Sequence, residues 1–497
     1  MKYYLSANAV ARILEGGEPA VQKLARQGRL DLFFYVGWLR DALREVQPAG
    51  IDEAELLRRL GEGGIVLSSA LSGDWDGEGD TLGEREWNAI SSRESGPLCL
   101  LVVGDECPWC AHRAPLSEMR DRSKDFETEP PQIAFIDLVK QQRRIRGPLE
   151  ARITSVLDHG KYIMGPEVKE LENVLASYAG VDHCVSVASG TDSLLIALMA
   201  LGVGPGDEVI TVPFTWISTA EVIALLGATP VFIDIEPEGW NMDPDLLEAK
   251  ITPRTKAIMP VGIFGQMAQM SRICAIAEQH GNIPVIEDAA QCFGSTENGV
   301  RSCAASLIGS TSFFPSKPLG CYGDGGALFT NNAEIADRMR QIRVHGQKVK
   351  HQHPLLGLNG RLDTLQAAIL LEKFNLYEEE IGLRSAVARR YEELLGELKQ
   401  DRVVPQGLVG GVESVFAQYT LLCEDREDVA HKLKQAKVPA VSYYQNPLHL
   451  QPVFSGLGHS RGDFPVSEKV SSSTISLPMS PYITEAEQRR VVMALGR

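Results

Sequence analysis

The sequence predicts an α/β fold: a largely parallel sheet with helices on its faces, followed by a smaller α+β domain. Two observations predict it. From Gln132 onward, short apolar runs alternate with segments of helical period, and no internal repeat appears. Beyond roughly Val403 that rhythm gives way to separate strands and helices. The expected domains are residues 1–131, 132–398 and 399–497. A chain of 497 residues is long for one core, so more than one domain is expected.

Taken in order, 183–188, 208–212, 229–234, 256–261, 283–287, 307–313 and 326–330 read as strands. Helical segments before and between them include one running to about 158, then 167–178, 191–201 and 218–226. Longer helical stretches follow at 333–343 and 364–398. The C-terminal part adds a strand at 418–422 and helices at 427–436 and 484–495.

Residues 1–131 differ in character. Segments 5–14 and 19–30 read as two short helices around Gly16-Gly17, a loose helix-turn-helix pattern. Through Pro131 there are 15 Lys/Arg against 23 Asp/Glu, a net −8, which is the wrong sign for a DNA footprint. Residues 72–94 are acidic and glycine-rich, as in a linker. Leu98-Cys-Leu-Leu-Val-Val103 reads as a strand leading to Cys107-Pro-Trp-Cys110. Two thiolates and His112 fall short of a four-ligand zinc site, so no metal is expected.

The whole-chain charge of −16 offers no attraction to nucleic acid or anionic membrane. No apolar run has the length of a membrane span, and the N-terminus lacks the apolar core of a signal peptide. Nine scattered cysteines point to a reducing cytoplasm.

The chemistry gathers around Lys317, between Pro315 and Pro318 and just after Phe313-Phe314. The prolines deny it regular geometry. A lysine stripped of water is biased towards the neutral amine, a nucleophile that can form a Schiff base with an aldehyde. Four other signals sit at strand ends, where open α/β sheets collect ligands. Ser189-Gly190-Thr191 joins a strand to a helix and suits a phosphate, with Ser312 as a second donor. Trp216 can stack on a flat ring. Asp288 ends an apolar strand and needs a cationic partner, and Gln291 could hold a ring oxygen. Each is weak alone. Together they are the inventory that pyridoxal 5′-phosphate requires.

From Gln132 to the C-terminus the chain resembles the DegT/DnrJ/EryC1/StrS sugar aminotransferases, a fold-type I pyridoxal-phosphate family. The matching motifs are Gly165-Pro-Glu, Ala188-Ser-Gly-Thr-Asp, Gly204-Pro-Gly-Asp-Glu-Val-Ile, Phe214-Thr-Trp, Glu287-Asp-Ala-Ala-Gln, Ser312-Phe-Phe-Pro-Ser-Lys, Gly323-Asp-Gly-Gly and Asn359-Gly-Arg-Leu-Asp. The resemblance implies a mostly parallel seven-stranded sheet with helices on both faces. It implies covalent attachment of the cofactor at Lys317, with Asp288 on the ring nitrogen, Gln291 on the ring hydroxyl and Trp216 stacked on the ring. Gly190, Thr191 and Ser312 would hold the phosphate. Asn359 would reach it from the other subunit of a homodimer, with Arg361 and Tyr443 towards the substrate.

Within the family the details are closest to bacterial enzymes that aminate UDP-2-acetamido-2-deoxy-3-oxo-glucuronate for O-antigen, with L-glutamate as donor. Relatives near this branch carry His-Tyr before Pro-x-Pro-Leu, where this chain has Tyr443-Tyr444-Gln-Asn-Pro-Leu. Family members that dehydrate sugars replace the lysine with histidine, and Lys317 speaks against that. A ligand-sensing regulator with an N-terminal DNA-binding segment is the rival from another class.

Overall fold

The structure, a computed structural model, describes residues 132–398 and 402–496 and four short strands before them. The chain divides into two compact units, Met1–Pro131 and Gln132–Arg497. In the first, strands Lys2–Leu5, Asp31–Tyr35, Ile65–Ser68 and Leu98–Leu101 pair in parallel. Their order is third, second, first, fourth. The last matches the strand expected from Leu98. The other three were not foreseen, because four- or five-residue apolar runs carry too little periodicity to stand out. The two expected helices, the acidic stretch 72–94 and the Cys107/Cys110 pair lie outside the described residues, apart from Leu5, which closes the first strand.

The second unit holds the main sheet. Its strands are β1 (His183–Val187), β2 (Glu208–Thr211), β3 (Thr229–Phe232), β4 (Thr255–Ile258), β5 (Ile286–Asp288), β6 (Ile308–Ser312) and β7 (Gly326–Thr330). Two groups, β3-β2-β4 and β5-β6-β7-β1, are joined by bridges Ile258–Val285 and Val261–Asp288. The resulting order is β3-β2-β4-β5-β6-β7-β1. Only β7 runs antiparallel to its neighbours. No crossover helix separates it from β6; the turn between them is the Lys317 stretch. All seven expected strands are present, with ends shifted by up to three residues.

Helices α1 (Leu138–His159), α2 (Pro166–Ala179), α3 (Gly190–Ala200), α4 (Ser218–Leu225), α5 (Met270–Gln279), α6 (Ala333–Arg343) and α7 (Thr364–Phe374) pack around this sheet. Side chains alternate across a strand, so the sheet buries two separate cores. Val185, Val187, Ile286 and Ile308 pack with Leu194 and Leu198 of α3 and Met339 of α6. Cys184, Val285 and Phe329 pack on the other side with Leu171 and Leu175 of α2, Ile273 of α5 and Leu370 of α7.

The long helix expected over 364–398 is two, α7 and α8 (Tyr377–Leu398). Asn375, a weak helix former, closes α7. From Val387 onward α8 joins a further core, built on the antiparallel strands β8 (Val403–Pro405), β9 (Tyr419–Cys423) and β10 (Thr474–Leu477). Helices α9 (Arg426–Gln435) and α11 (Glu485–Leu495) cover it, and α10 (Pro465–Ser473) precedes β10.

Alternation along β5 gives its two acids different fates. Glu287 is buried among Cys292 and Cys303 and accepts the Cys303 amide at 2.7 Å. Burial pushes its carboxyl up from 4.5 to about 8. Between those two values the folded chain holds a proton that the unfolded chain has lost, so stability falls as pH rises through that window. Glu287→Gln is expected to flatten the dependence. Relative to wild type, the variant should gain on the order of a few kcal/mol between about pH 5 and about pH 8. Urea unfolding at both values checks this, and parallel curves would contradict it.

Candidate active site

The site is built at the carboxyl ends of β1, β5 and β6, where the first turns of α3 and α4 arrive. Ser189 is extended, with φ −158° and ψ 165°, and its side chain caps α3 by accepting the Asp192 amide at 3.0 Å. The first amides of α3 have no acceptor within the helix, and the helix dipole is positive there. Gly190 lets this turn press on β6: a Cβ there would meet Ser312 Cβ at 2.6 Å and its Oγ at 2.9 Å. Gly326 does the same on β7, where a Cβ would lie 2.5 Å from the Ser189 carbonyl. Thr191 and Ser218 share a hydroxyl contact of 2.8 Å. The structure thus brings Gly190 against Ser312 and Thr191 against Ser218 around the start of α3.

Asp288 is 4% exposed at the end of β5. One carboxylate oxygen accepts the Thr219 hydroxyl at 2.8 Å and the other the Ala290 amide at 3.2 Å. Burial nevertheless pushes its pKa up, and the Lys317 charge opposes that. For Lys317 the same cause acts in reverse. Burial lowers its pKa, and Asp288 pulls against the shift. The loop carrying Lys317 is tied at its base, with the Phe313 amide donating to Gly325 O at 2.7 Å and the Cys321 amide to Phe313 O at 2.8 Å. The Lys317 amide closes a tight turn onto Phe314 O at 2.8 Å. Two groups of opposite charge therefore face each other's fields in a place where neither is well solvated.

Gln291 is held at both ends. Its amide oxygen accepts the Phe264 amide at 3.0 Å, and its nitrogen donates to the Tyr444 hydroxyl at 2.9 Å. The amide nitrogen carries two hydrogens, so one is left for another acceptor. The Tyr444 ring stands 6.0 Å from that of Trp216 and 6.2 Å from that of Phe214. Trp216 is 58% exposed, which leaves indole surface free to cover a flat ligand.

Asn359 and Arg361 flank Gly360, whose carbonyl accepts the Ala188 amide at 2.9 Å beside the start of α3. Asn359 is exposed and its oxygen accepts from Arg361, while Arg361 Nε is buried without a partner. Tyr443 is half-buried and reaches the cluster through Tyr444, 5.6 Å away between ring centres. Sequence reasoning picked Tyr443 and missed Tyr444, although both lie in the run that departs from the family pattern. It also missed Thr219. Its contact with Asp288, 69 residues further on, left no local signal in the sequence. Among the described residues no group of three or more His, Cys, Asp or Glu could hold a metal ion.

Residues 144–496 match the family profile described as the DegT/DnrJ/EryC1/StrS aminotransferase family. A Pseudomonas aeruginosa relative named UDP-2-acetamido-2-deoxy-3-oxo-D-glucuronate aminotransferase is 52% identical over 363 residues, 73% of this chain and 99% of its own length. A solved family aminotransferase from Brucella abortus is similar with a TM-score of 0.70 and 44% identity, over 73% of this chain and 98% of that one. The ntda structure from Bacillus subtilis, solved with bound cofactor PMP, has a TM-score of 0.69 and 31% identity, over 74% and 85% of the two chains.

The Gly190–Ser312 contact yields a direct test. Gly190→Ala must push α3 off β6, because neither Ser312 atom can be avoided by rotating a long side chain. The variant is expected to fold but to bind pyridoxal phosphate about tenfold more weakly or worse, roughly 1.4 kcal/mol. Fluorescence titration of the apo protein measures this, and an unchanged affinity would contradict a phosphate cradle there.

Proposed function

The chain belongs to the DegT/DnrJ/EryC1/StrS aminotransferase family, and on that premise we propose that it carries an amino group from L-glutamate to a UDP-linked keto sugar, UDP-2-acetamido-2-deoxy-3-oxo-glucuronate. The observation that carries this reading is the 52% identity to the Pseudomonas aeruginosa relative of that name, over nearly its whole length. The products are 2-oxoglutarate and the amino sugar nucleotide, a precursor for surface polysaccharide such as O-antigen.

The cofactor is pyridoxal phosphate, and the residues present fit it. Gly190 leaves open a cradle that a methyl group would close. Asp288 is a buried carboxylate pushed towards its neutral form, for which a cationic ring nitrogen is the natural partner. Gly190, Thr191 and Ser312 would hold the phosphate, Trp216 the ring face and Gln291 the ring oxygen, with Lys317 as the point of attachment. When bound, the cofactor supplies an electrophilic carbonyl carbon and a ring that accepts negative charge.

The protein's own groups then have distinct tasks. Asp288 would hold a proton on the ring nitrogen. Thr219 fixes the Asp288 carboxylate, and Tyr444 fixes Gln291. Lys317, once the donor's amine displaces it from its point of attachment, would be a free amine biased to the neutral form by burial, able to take the proton from the α-carbon of the donor and, in the second half, to give a proton to the carbon of the sugar that receives the amino group. Arg361 and Tyr443 contact the sugar nucleotide. In a homodimer Asn359 completes the phosphate site of the neighbouring subunit.

A reducing cytoplasm suits the cysteines: Cys184, Cys274, Cys292, Cys303, Cys321 and Cys423 are all free. No helix among the described residues is long and apolar enough to cross a membrane. The regulator reading is not favoured, since the matched family is one of aminotransferases. A lysine at position 317 likewise disfavours the dehydratase reading.

The test is a half-reaction screen. Purified protein loaded with pyridoxal phosphate receives glutamate, then a panel of UDP- and dTDP-linked keto sugars, while cofactor absorbance is followed. Loss with glutamate and return with the UDP-3-keto uronate is expected. Return only with a different sugar would refute the substrate assignment. Lys317→Ala should abolish turnover without unfolding the chain, and borohydride should fix the pyridoxyl group on Lys317 in wild type. Label on another lysine would overturn the assignment of the amine.

A further inference from the structure

Lys373, near the end of α7, stands outside every role described so far. It is 2% exposed, and its ammonium lies 5.1 Å from the centre of the Tyr322 ring. Among the described residues its Nζ has no hydrogen-bond or ion-pair partner. Burial lowers its pKa to about 8, with the Glu380 carboxylate opposing the shift. That carboxylate is already engaged. Gln141 donates to both its oxygens, at 2.9 and 2.8 Å, and the Tyr482 hydroxyl donates to one of them.

Other polar atoms nearby are also unmatched. Gln141 Oε1 and the Tyr322 hydroxyl are buried without a partner. Gln141, Lys317, Lys373, Arg384 and Tyr482 line one narrow cleft, with Asp137 also on its wall. Asp137 is occupied in capping α1 and pairing with Lys140 at 3.3 Å. Arg384 spends one nitrogen on the Phe416 carbonyl at 3.2 Å. The cleft therefore gathers the cationic side chains of Lys373 and Arg384 beside Lys317, and a poorly solvated ammonium on its wall favours an anion as partner.

We propose that this cleft is a carboxylate-binding subsite, in which Lys373 receives a carboxylate of the amino donor while the donor's amine engages the centre at Lys317. The cleft has room for little more than one small polar group and none for a nucleotide or a sugar ring. The inference rests on the aminotransferase reading for the identity of the donor. The chemistry recognised, a carboxylate, could also come from a uronic acid sugar.

The test uses the cofactor-loaded enzyme and Lys373→Met, which keeps the apolar stem and removes the charge. The KM for glutamate should rise at least tenfold, with kcat at saturation changed less than about threefold and the KM for the keto sugar unchanged. Calorimetry with glutarate, a dicarboxylate that cannot react, should show the same loss of affinity. A rise confined to the KM of a uronate sugar would support the carboxylate site and reassign its source to the acceptor. Unchanged KM values together with unchanged glutarate binding would overturn the proposal. Lys373→Gln serves if the methionine variant does not fold. Wild-type protein that binds glutarate through Lys373 but transfers no amino group would sink the functional reading and leave the subsite. A working transaminase indifferent to Lys373 would do the reverse.

Discussion

Asp288 sits at the end of a buried strand, where an unpaired carboxylate costs several kcal/mol. Thr219 and Ala290 hydrogen-bond it, yet these two contacts do not offset the loss of water, and its pKa stays raised. Lys317 is under the converse pressure. The site is therefore a pair of groups that cannot both be comfortable until a third component arrives. A ring that is cationic at one atom and electrophilic at another meets both demands. This is the physical reason for reading the site as a pyridoxal-phosphate centre, beyond the matching of motifs.

That pair is useful only if the rest of the ligand is held in register with it, and the sheet does this. β1, β5 and β6 end at the same edge, and antiparallel β7 begins there. Gly190 and Gly326 allow the first turn of α3 to sit directly against β6 and β7, so the amide cradle and the Asp288 carboxylate share one rigid frame. Tyr444 arrives from the C-terminal part of the chain and links that part to the site through Gln291.

Much of this is legible in the amino-acid sequence. Most of the seven strands stand out because they are short apolar runs followed by a turn signal, while 307–313 is rich in Gly, Ser and Thr. Lys317, Asp288, Gly190, Thr191 and Ser312 stood out because strand ends with such residues suit a ligand. What escaped notice depends on three-dimensional proximity. Thr219 and Tyr444 act on Asp288 and Gln291 from 69 and 153 residues away in sequence. The break at Asn375 was hidden inside an unbroken helical pattern. Lys373 lies inside the stretch expected to be helical and carries no sequence signal of its own; only its burial over Tyr322 sets it apart. The strands at Lys2–Leu5, Asp31–Tyr35 and Ile65–Ser68 were too short to be distinguished from local apolar clusters.

The central claim is that Asp288 keeps the ring nitrogen of the bound cofactor protonated. The most direct measurement is the nitrogen-15 chemical shift of ring-labelled pyridoxal phosphate bound to the protein. A pyridinium shift at neutral pH and above in wild type, replaced by a neutral pyridine shift in Asp288→Asn, is the predicted result. A neutral pyridine in the wild-type protein at neutral pH would contradict the account.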